Sequence, residues 1–303
     1  MNPPSVEAGA RTVTLVTATY GPDLERFALQ RESIERCGVM LPHVAIVHTE
    51  DVATFREIPF RQNLTILATA EVLPAAIERR RRRGPRDLRR LSPTRWFGGK
   101  TIHGWYTQQL VKLAAADVVR TEGYVCLDAD VFLCGPLSDA DFFAADGRLH
   151  LYETVEDLDV EMVEWLVDSM RFLGIGLRQK PAARYIHHPL PMHRRVVLEL
   201  QAYVEARFHR PWAEAMADAS VTEAMTYGAY ARHLHAGRLV APTLPSTCLY
   251  YWWPEQLATM DADFRRRVAE SQARAVLVQS NLSVPVKAYR HLAEAAWTRD
   301  GAR

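Results

Sequence analysis

The chain has 303 residues, is 48% hydrophobic and carries a net charge of +1. A core of this size needs no disulfide or metal to hold it, and the charge balance selects neither nucleic acid nor a membrane surface as partner. Cys37, Cys126, Cys134 and Cys248 form no C-x-x-C pair, no apolar run is long enough to span a bilayer, and no basic segment leads into an apolar one at the N-terminus; a zinc knuckle is excluded and a cytoplasmic protein with reduced thiols is expected.

The first apolar, β-branched run, Thr12 to Thr19, reads as a strand. Gly21-Pro22 ends it, and Asp23 is placed to cap a helix on which Leu24, Phe27, Ala28 and Ile34 keep helical spacing. "HVAIVHTED" and "NLTILATAE" give two more strands. Strands alternating with helical patterns predict βαβ units and a parallel sheet. Ala75 to Lys100 is dense in arginine with Pro and Gly breaks, so a short helix and then a loop are expected. Its run Arg79 to Arg83 reads as a solvated face. "RWFGGK", Arg95 to Lys100, has a hinge-like Gly98-Gly99 that could close a loop over a ligand. "GWYTQQLVKLAAADVV" (Gly104 to Val119) is a helix by its period, and "RLHLYE" is a later strand. Beyond about residue 155 the pattern is mainly helical, with helices predicted over Leu158–Phe172, Met192–Phe208, Val221–His235 and Glu255–Glu270 and a strand over Ala275–Asn281. One unit over 1–303 is expected, with a sheet-forming half at 11–154 and a mainly helical half at 155–303.

The chemistry concentrates in "GYVCLDADVFLCGPL", Gly123 to Leu137. It reads as a buried strand ending in Asp128 and Asp130, which alternate through Ala129 and so face one side in strict strand geometry. Two close like charges beside an apolar strand need compensation. A divalent cation supplies it, and hard carboxylate oxygens suit Mn²⁺ or Mg²⁺, which complete their shells with substrate phosphate oxygens. In an open parallel sheet the carboxyl ends of the strands are where ligands bind. Lys100 and Lys112 are candidate cations for the charge on such a substrate.

This segment resembles the DxD segment of GT-A-type nucleotide-sugar glycosyltransferases. "GWYTQQLVKLAAADVV", "HHPLPMHRRVVLEL" and "VTEAMTYGAY" are similar to stretches of a bacterial group of DxD glycosyltransferase-like proteins, in the same order. The resemblance runs from about Thr12 to Asn281. It implies a GT-A-like fold, with a mostly parallel, Rossmann-like N-terminal half and a helical C-terminal half packed on it. It implies a nucleoside-diphosphate sugar as donor and an unidentified acceptor. Asp128, Ala129 and Asp130 would then lie on the donor, with the aspartates on the metal. Thr17, Ala18, Thr19 and Tyr20 would lie against the nucleoside. Gln108, Gln109 and Lys112 would face the donor pocket, and the second half would supply the acceptor site.

In that second half His188 is a candidate for acceptor contact or metal ligation, and Trp252 and Trp253 could stack on a sugar. Glu223, Tyr227 and Tyr230 fall at i, i+4 and i+7 on one helix face. Glu223 then has two readings: a general base for the acceptor hydroxyl, or the last member of an S-x-x-E capping box begun at Ser220. Two other functions compete with sugar transfer. One is a haloacid-dehalogenase-type phosphatase, although its D-x-D-x-[TV] pattern has Phe132 in the last place. The other is a nucleotide-sugar-binding protein without activity.

Overall fold

A computed structural model describes residues 11–83, 102, 104–155, 160–176, 183–219, 221–245, 248–271 and 273–300. Among these the strands are β1 (Val13–Thr19), β2 (His43–Val47), β3 (Leu64–Ala68), β4 (Gly123–Cys126), β5 (Val131–Leu133), β6 (Leu149–Tyr152), β7 (Thr154–Val155), β8 (Ala183–Arg184), β9 (Leu190–His193), β10 (Val240–Thr243), β11 (Cys248–Tyr251) and β12 (Ala275–Val278). The main sheet has the order β3-β2-β1-β4-β9. Its first four strands are parallel and β9 is antiparallel to β4. All seven residues of β1 are buried, as expected where helices cover both faces of a parallel sheet. The predicted mostly parallel α/β fold is therefore the observed one.

The second half is mainly helical, yet it also returns strands that finish the sheets of the first. β9 closes the main sheet beside β4, β10 pairs with β6, and β12 pairs with both β11 and β5. β12 is the strand expected from Ala275, whereas β9, β10 and β11 escape the sequence reading because a four-residue run shows too little alternation to count; the helices Trp212–Ala219 and Arg290–Asp300 were not expected either. The helix expected from Met192 begins at Arg194, since Met192 and His193 belong to β9. The helix expected over Val221–His235 is α-helical only over Glu223–Ala229 and becomes a π-helix over Tyr230–Leu234. The one expected from Glu255 is broken into Pro254–Leu257 and Met260–Ser271.

Two further expectations are corrected. Asp23 sits at the N-cap of Leu24–Arg36 but makes no capping bond; it turns to Arg26 instead, 3.4 Å away. The arginine run is a solvated face only at Arg79, Arg82 and Arg83. Arg80 and Arg81 are buried; Arg80 pairs with Asp218, and Arg81 pairs with Glu50 and Glu78.

Candidate active site

The D-x-D segment is a turn between two sheets and not the end of one long strand. β4 stops at Cys126, Val131 N–H donates to Asp128 O at 2.9 Å, and the chain leaves into β5. Strand alternation therefore does not set the two carboxylates, as the sequence reading had it. The turn is held from below by Gln30 on the helix Leu24–Arg36, whose amide donates to Asp128 O at 2.6 Å and Val131 O at 3.1 Å. Thr17 Oγ1 lies 2.9 Å from Gln30 Oε1 and 2.7 Å from Leu127 O. The Gln30 amide thus satisfies the turn's backbone carbonyls, so the turn is held without use of the aspartate side chains.

Strand register brings their neighbours. In the antiparallel pair β4–β9, Cys126 lies opposite Leu190, so two residues further on Asp128 meets His188. His188 Nε2 is 3.5 Å from Asp128 Oδ2. On the other side Val278 N–H donates to Asp130 O at 3.1 Å, where β12 runs past the turn, and Ser280 N–H then reaches Asp130 Oδ2 at 2.9 Å. The helix Gly104–Val118 delivers Lys112, fixed through Tyr124 on β4, whose hydroxyl donates to Lys112 O. Lys112 Nζ lies 2.7 Å from Asp128 Oδ1 and 3.0 Å from Glu223 Oε1. Glu223 opens the helix Glu223–Ala229, whose start is capped from outside by Gln109 Oε1, accepting Glu223 N–H at 3.0 Å. Gly228 lets that helix approach, because a Cβ there would come 2.1 Å from the ring of Tyr185.

The electrostatics are unbalanced. Burial works against the Lys112 charge, but its pairing with Asp128 and Glu223 overcomes this and raises its pKa. Burial pushes Asp128 up, and Lys112 and His188 more than reverse this, so its pKa is lowered. Asp130 receives less help: burial and then the charge of Asp128 push it up to about 7, outweighing the Ser280 N–H and the more remote Lys112. Burial lowers His188 despite Asp128. Asp130 Oδ1 is buried and has no hydrogen-bond partner among the described residues, and the same is true of Thr19 Oγ1, His188 Nδ1 and Thr222 Oγ1. Such atoms cost free energy unless a ligand meets them.

No group of three or more His, Cys, Asp and Glu side chains among the described residues forms a preformed metal cage. Asp128 and Asp130 offer two carboxylates, one with an orphaned oxygen. That set fits a hard cation of the Mg²⁺ or Mn²⁺ kind, which is bound through one or two carboxylates and takes its other ligands from substrate and water.

A model of one family, described as a family of unknown function (DUF6492), matches residues 12–295. The chain belongs to this family. No curated protein matches it. Among solved structures, this DUF6492 protein is similar to mouse xyloside xylosyltransferase 1 in its apo form, with a TM-score of 0.47 and 9% identity over 90% of this chain and 100% of that one. It is similar to the galactosyltransferase LgtC with donor and acceptor sugar analogues, with a TM-score of 0.41 and 9% identity over 93% of this chain and 96% of that one. It is also similar to the bifunctional glycosyltransferase WbbM in its apo form, with a TM-score of 0.42 and 10% identity over 91% of this chain and 46% of that one. All three scores lie below 0.5, so the site of the DUF6492 chain is judged on its own residues.

Of the residues expected at the site, Lys112, Asp128, Asp130, His188 and Glu223 come together. Thr17 and Ala18 are buried, Thr17 in the floor of the turn. Thr19 ends β1 and Tyr20 follows it, meeting His48 with ring centroids 5.3 Å apart. Ala129 is buried within the turn and Gln108 is half-buried. Gln109 serves as the cap of the Glu223 helix. Tyr227 is fully buried in the core, its hydroxyl accepting His193 N–H at 2.9 Å. Trp252 stacks on Tyr250, with centroids 5.6 Å apart, and the Tyr250 hydroxyl accepts His188 N–H at 2.9 Å. Trp253 is 64% exposed. The N-cap of the Glu223 helix is Thr222, and the Glu223 carboxylate goes to Lys112. Ser220, Lys100 and the rest of "RWFGGK" lie outside the described residues. Gln30, Ser280 and Tyr250 were missed. Gln30 had a signal, a polar residue on the apolar helix face between Phe27 and Ile34.

Among the described residues no helix is long and apolar enough to cross a membrane.

Proposed function

We propose that this protein is a glycosyltransferase that moves a sugar from a nucleoside-diphosphate donor to an acceptor, with Mn²⁺ or Mg²⁺ held by Asp128 and Asp130. The observation that carries this reading is Asp130 Oδ1, a buried carboxylate oxygen without a partner among the described residues, in a cluster with more carboxylates than cations. Its place in the fold supports the reading. The strand order β3-β2-β1-β4 reverses direction between β1 and β4, and ligands bind at such a switch point, outside the carboxyl ends of the strands. Tyr20 follows β1 there and Asp128 follows β4.

The bond from the sugar's anomeric carbon to the diphosphate breaks and one to the acceptor oxygen forms, so charge builds on the leaving diphosphate. The bound cation would neutralise that charge. Lys112 holds Asp128 ionised and oriented, Ser280 N–H holds one oxygen of Asp130, and Gln30 keeps the turn in register. Tyr20 and His48 suit the nucleoside end of the donor, and exposed Trp253 beside Trp252 suits a sugar acceptor. Glu223 acts through Lys112, a positioning role in place of the base or cap expected from sequence.

The test is a thermal-shift screen of UDP, GDP, CDP and dTDP with and without Mn²⁺, followed by transfer and hydrolysis assays on the sugars of whichever nucleotide responds. Stabilisation by one nucleotide that requires Mn²⁺ is the expected result. No metal-dependent response to any of the four, and no turnover of their sugars, would overturn the proposal.

A further inference from the structure

Lys112 is held on several sides. Its backbone carbonyl is tied to Tyr124, its side chain is only 5% exposed, and its ammonium group sits between Asp128 Oδ1 at 2.7 Å and Glu223 Oε1 at 3.0 Å. Gln109, three residues before it on the same helix, holds the start of the Glu223 helix. A lysine so packed has little room to swing into solvent. The second oxygen of Asp128 faces His188 Nε2 at 3.5 Å. Both oxygens of Asp128 are thus turned toward nitrogen, while Asp130 keeps one oxygen without a partner among the described residues. A divalent cation approaching the pair meets a fixed positive charge on one of its two carboxylates, and in a partly buried site that repulsion is weakly screened.

From this geometry, and resting on the function proposed above, we infer that Lys112 is a resident cation on Asp128 that weakens metal binding until the donor's diphosphate arrives. The diphosphate supplies the negative charge that the metal then shares with Lys112, and it supplies the ligands that two aspartates lack. Metal and nucleotide therefore bind with strong mutual coupling, each raising the affinity of the other by the same factor. The free enzyme is kept from holding a metal with no substrate to act on. Glu223 takes part by neutralising the far side of Lys112, which keeps the lysine in place when it shares Asp128.

The experiment measures Mn²⁺ binding by electron paramagnetic resonance on the full chain, first without nucleotide and then with UDP, GDP, CDP or dTDP. The wild type is expected to bind Mn²⁺ at least about tenfold more tightly with the correct nucleotide than without. Lys112→Met is expected to tighten nucleotide-free binding by at least about tenfold, and to shrink the coupling by as much. That variant leaves Asp128 and Glu223 without their shared cation, so the double variant Lys112→Met/Glu223→Gln is measured beside it, with circular dichroism to show that each is folded. The double variant removes one positive and one negative charge, and its net charge equals that of the wild type. A gain in nucleotide-free affinity there reports the freeing of Asp128 and not a change in overall charge. If the folded double variant binds Mn²⁺ no more tightly than the wild type without nucleotide, while the wild type still binds Mn²⁺ with nucleotide, Lys112 does not compete for Asp128 and the inference fails alone. If the wild type binds no Mn²⁺ with any of the four nucleotides, the proposed function fails and takes the inference with it.

Discussion

Two ion clusters in this protein share one plan, a single cation between two carboxylates, and they differ in what is left over. Arg81 lies 2.6 Å from Glu50 and 2.7 Å from Glu78. Its planar fork gives both carboxylates paired hydrogen bonds, which a guanidinium does and an ammonium cannot. Arg82 adds another bond to Glu78. Lys112 likewise joins Asp128 to Glu223, but as a point charge, and a third carboxylate, Asp130, stands beside the pair without a cation of its own. The first cluster is saturated and ties the helix Ala75–Arg82 to the end of β2. The second has surplus negative charge and an orphaned oxygen. A cluster that satisfies itself stabilises the fold; one that does not is prepared for something outside the chain.

Substitutions should separate the two along that line. The largest effect is expected from Asp130→Ala, which removes the orphaned oxygen. Transfer and metal-dependent nucleotide binding should fall by at least about 10²-fold, with circular dichroism unchanged. A variant that transfers sugar at near the wild-type rate would make the surplus carboxylate a bystander. Glu223→Gln should cost less, about tenfold in rate, because Lys112 keeps Asp128 and loses only its far-side partner. The loss should appear in kcat with the melting temperature nearly constant. A fall of 10²-fold or more would instead favour Glu223 as the acceptor's base.

In the saturated cluster the same kind of change should act on stability alone. Arg81→Met removes the fork that joins Glu50 to buried Glu78 and leaves Glu78 with Arg82 and Thr49 alone, and it should lower stability by about 2 kcal/mol, measured by urea denaturation. The rate per folded molecule should stay at the wild-type value. A rate loss at full folding would show that this cluster too faces the substrate.

The sequence made parts of this contrast legible and hid others. Lys112, Asp128, Asp130, His188 and Glu223 could all be picked out, since each is a chemical side chain in a stretch of clear pattern. Their pairing could not. Glu223 is far from Lys112 along the chain, and only the packing of two helices brings them together. His188 meets Asp128 through the register of β9, a strand too short to show alternation. Thr17 was set against the nucleoside by the resemblance and by its place near the carboxyl end of β1; β1 is buried on both faces, so no polar–apolar alternation could say which way the residue points. Ser280 acts through its backbone N–H, which no side-chain pattern reveals. The arginine run misled because composition suggested a solvated face, whereas helix geometry turned Arg80 and Arg81 inward. The fold was easier: long periodic helices, the β-branched strands of the parallel sheet and the apolar run of β12 carry strong local signals, while β9, β10 and β11 depend on partners already in place.

The smallest effect is also the one in which the two clusters differ in sign. Burial and the charge of Asp128 push Asp130 up to about 7, whereas an unfolded aspartate titrates near ~3.9. A raised carboxylate binds its proton more tightly in the folded state, so its stabilisation is complete below about pH 4 and is lost as pH rises through about 7. Glu50 and Glu78 are opposite. Hydrogen bonds from Arg81 hold Glu50 down to about 2; burial pushes Glu78 up, but its bonds to Arg81 and Arg82 win and it too lies at about 2. Their stabilisation is complete above the ordinary glutamate value and is lost as pH falls toward about 2. Melting curves of metal-free Asp130→Asn and of the wild type should therefore diverge between pH 4 and pH 8, with the variant gaining on the wild type as pH rises. Solvent reaches part of Asp130, so the gain is about 2 °C and not the full value of the shift. For Arg81→Met the gap to the wild type should be widest near neutrality and close in acid. A flat difference for Asp130→Asn across this range would mean that Asp130 is already ionised and balanced in the free protein, and the contrast with the Arg81 cluster would lose its basis.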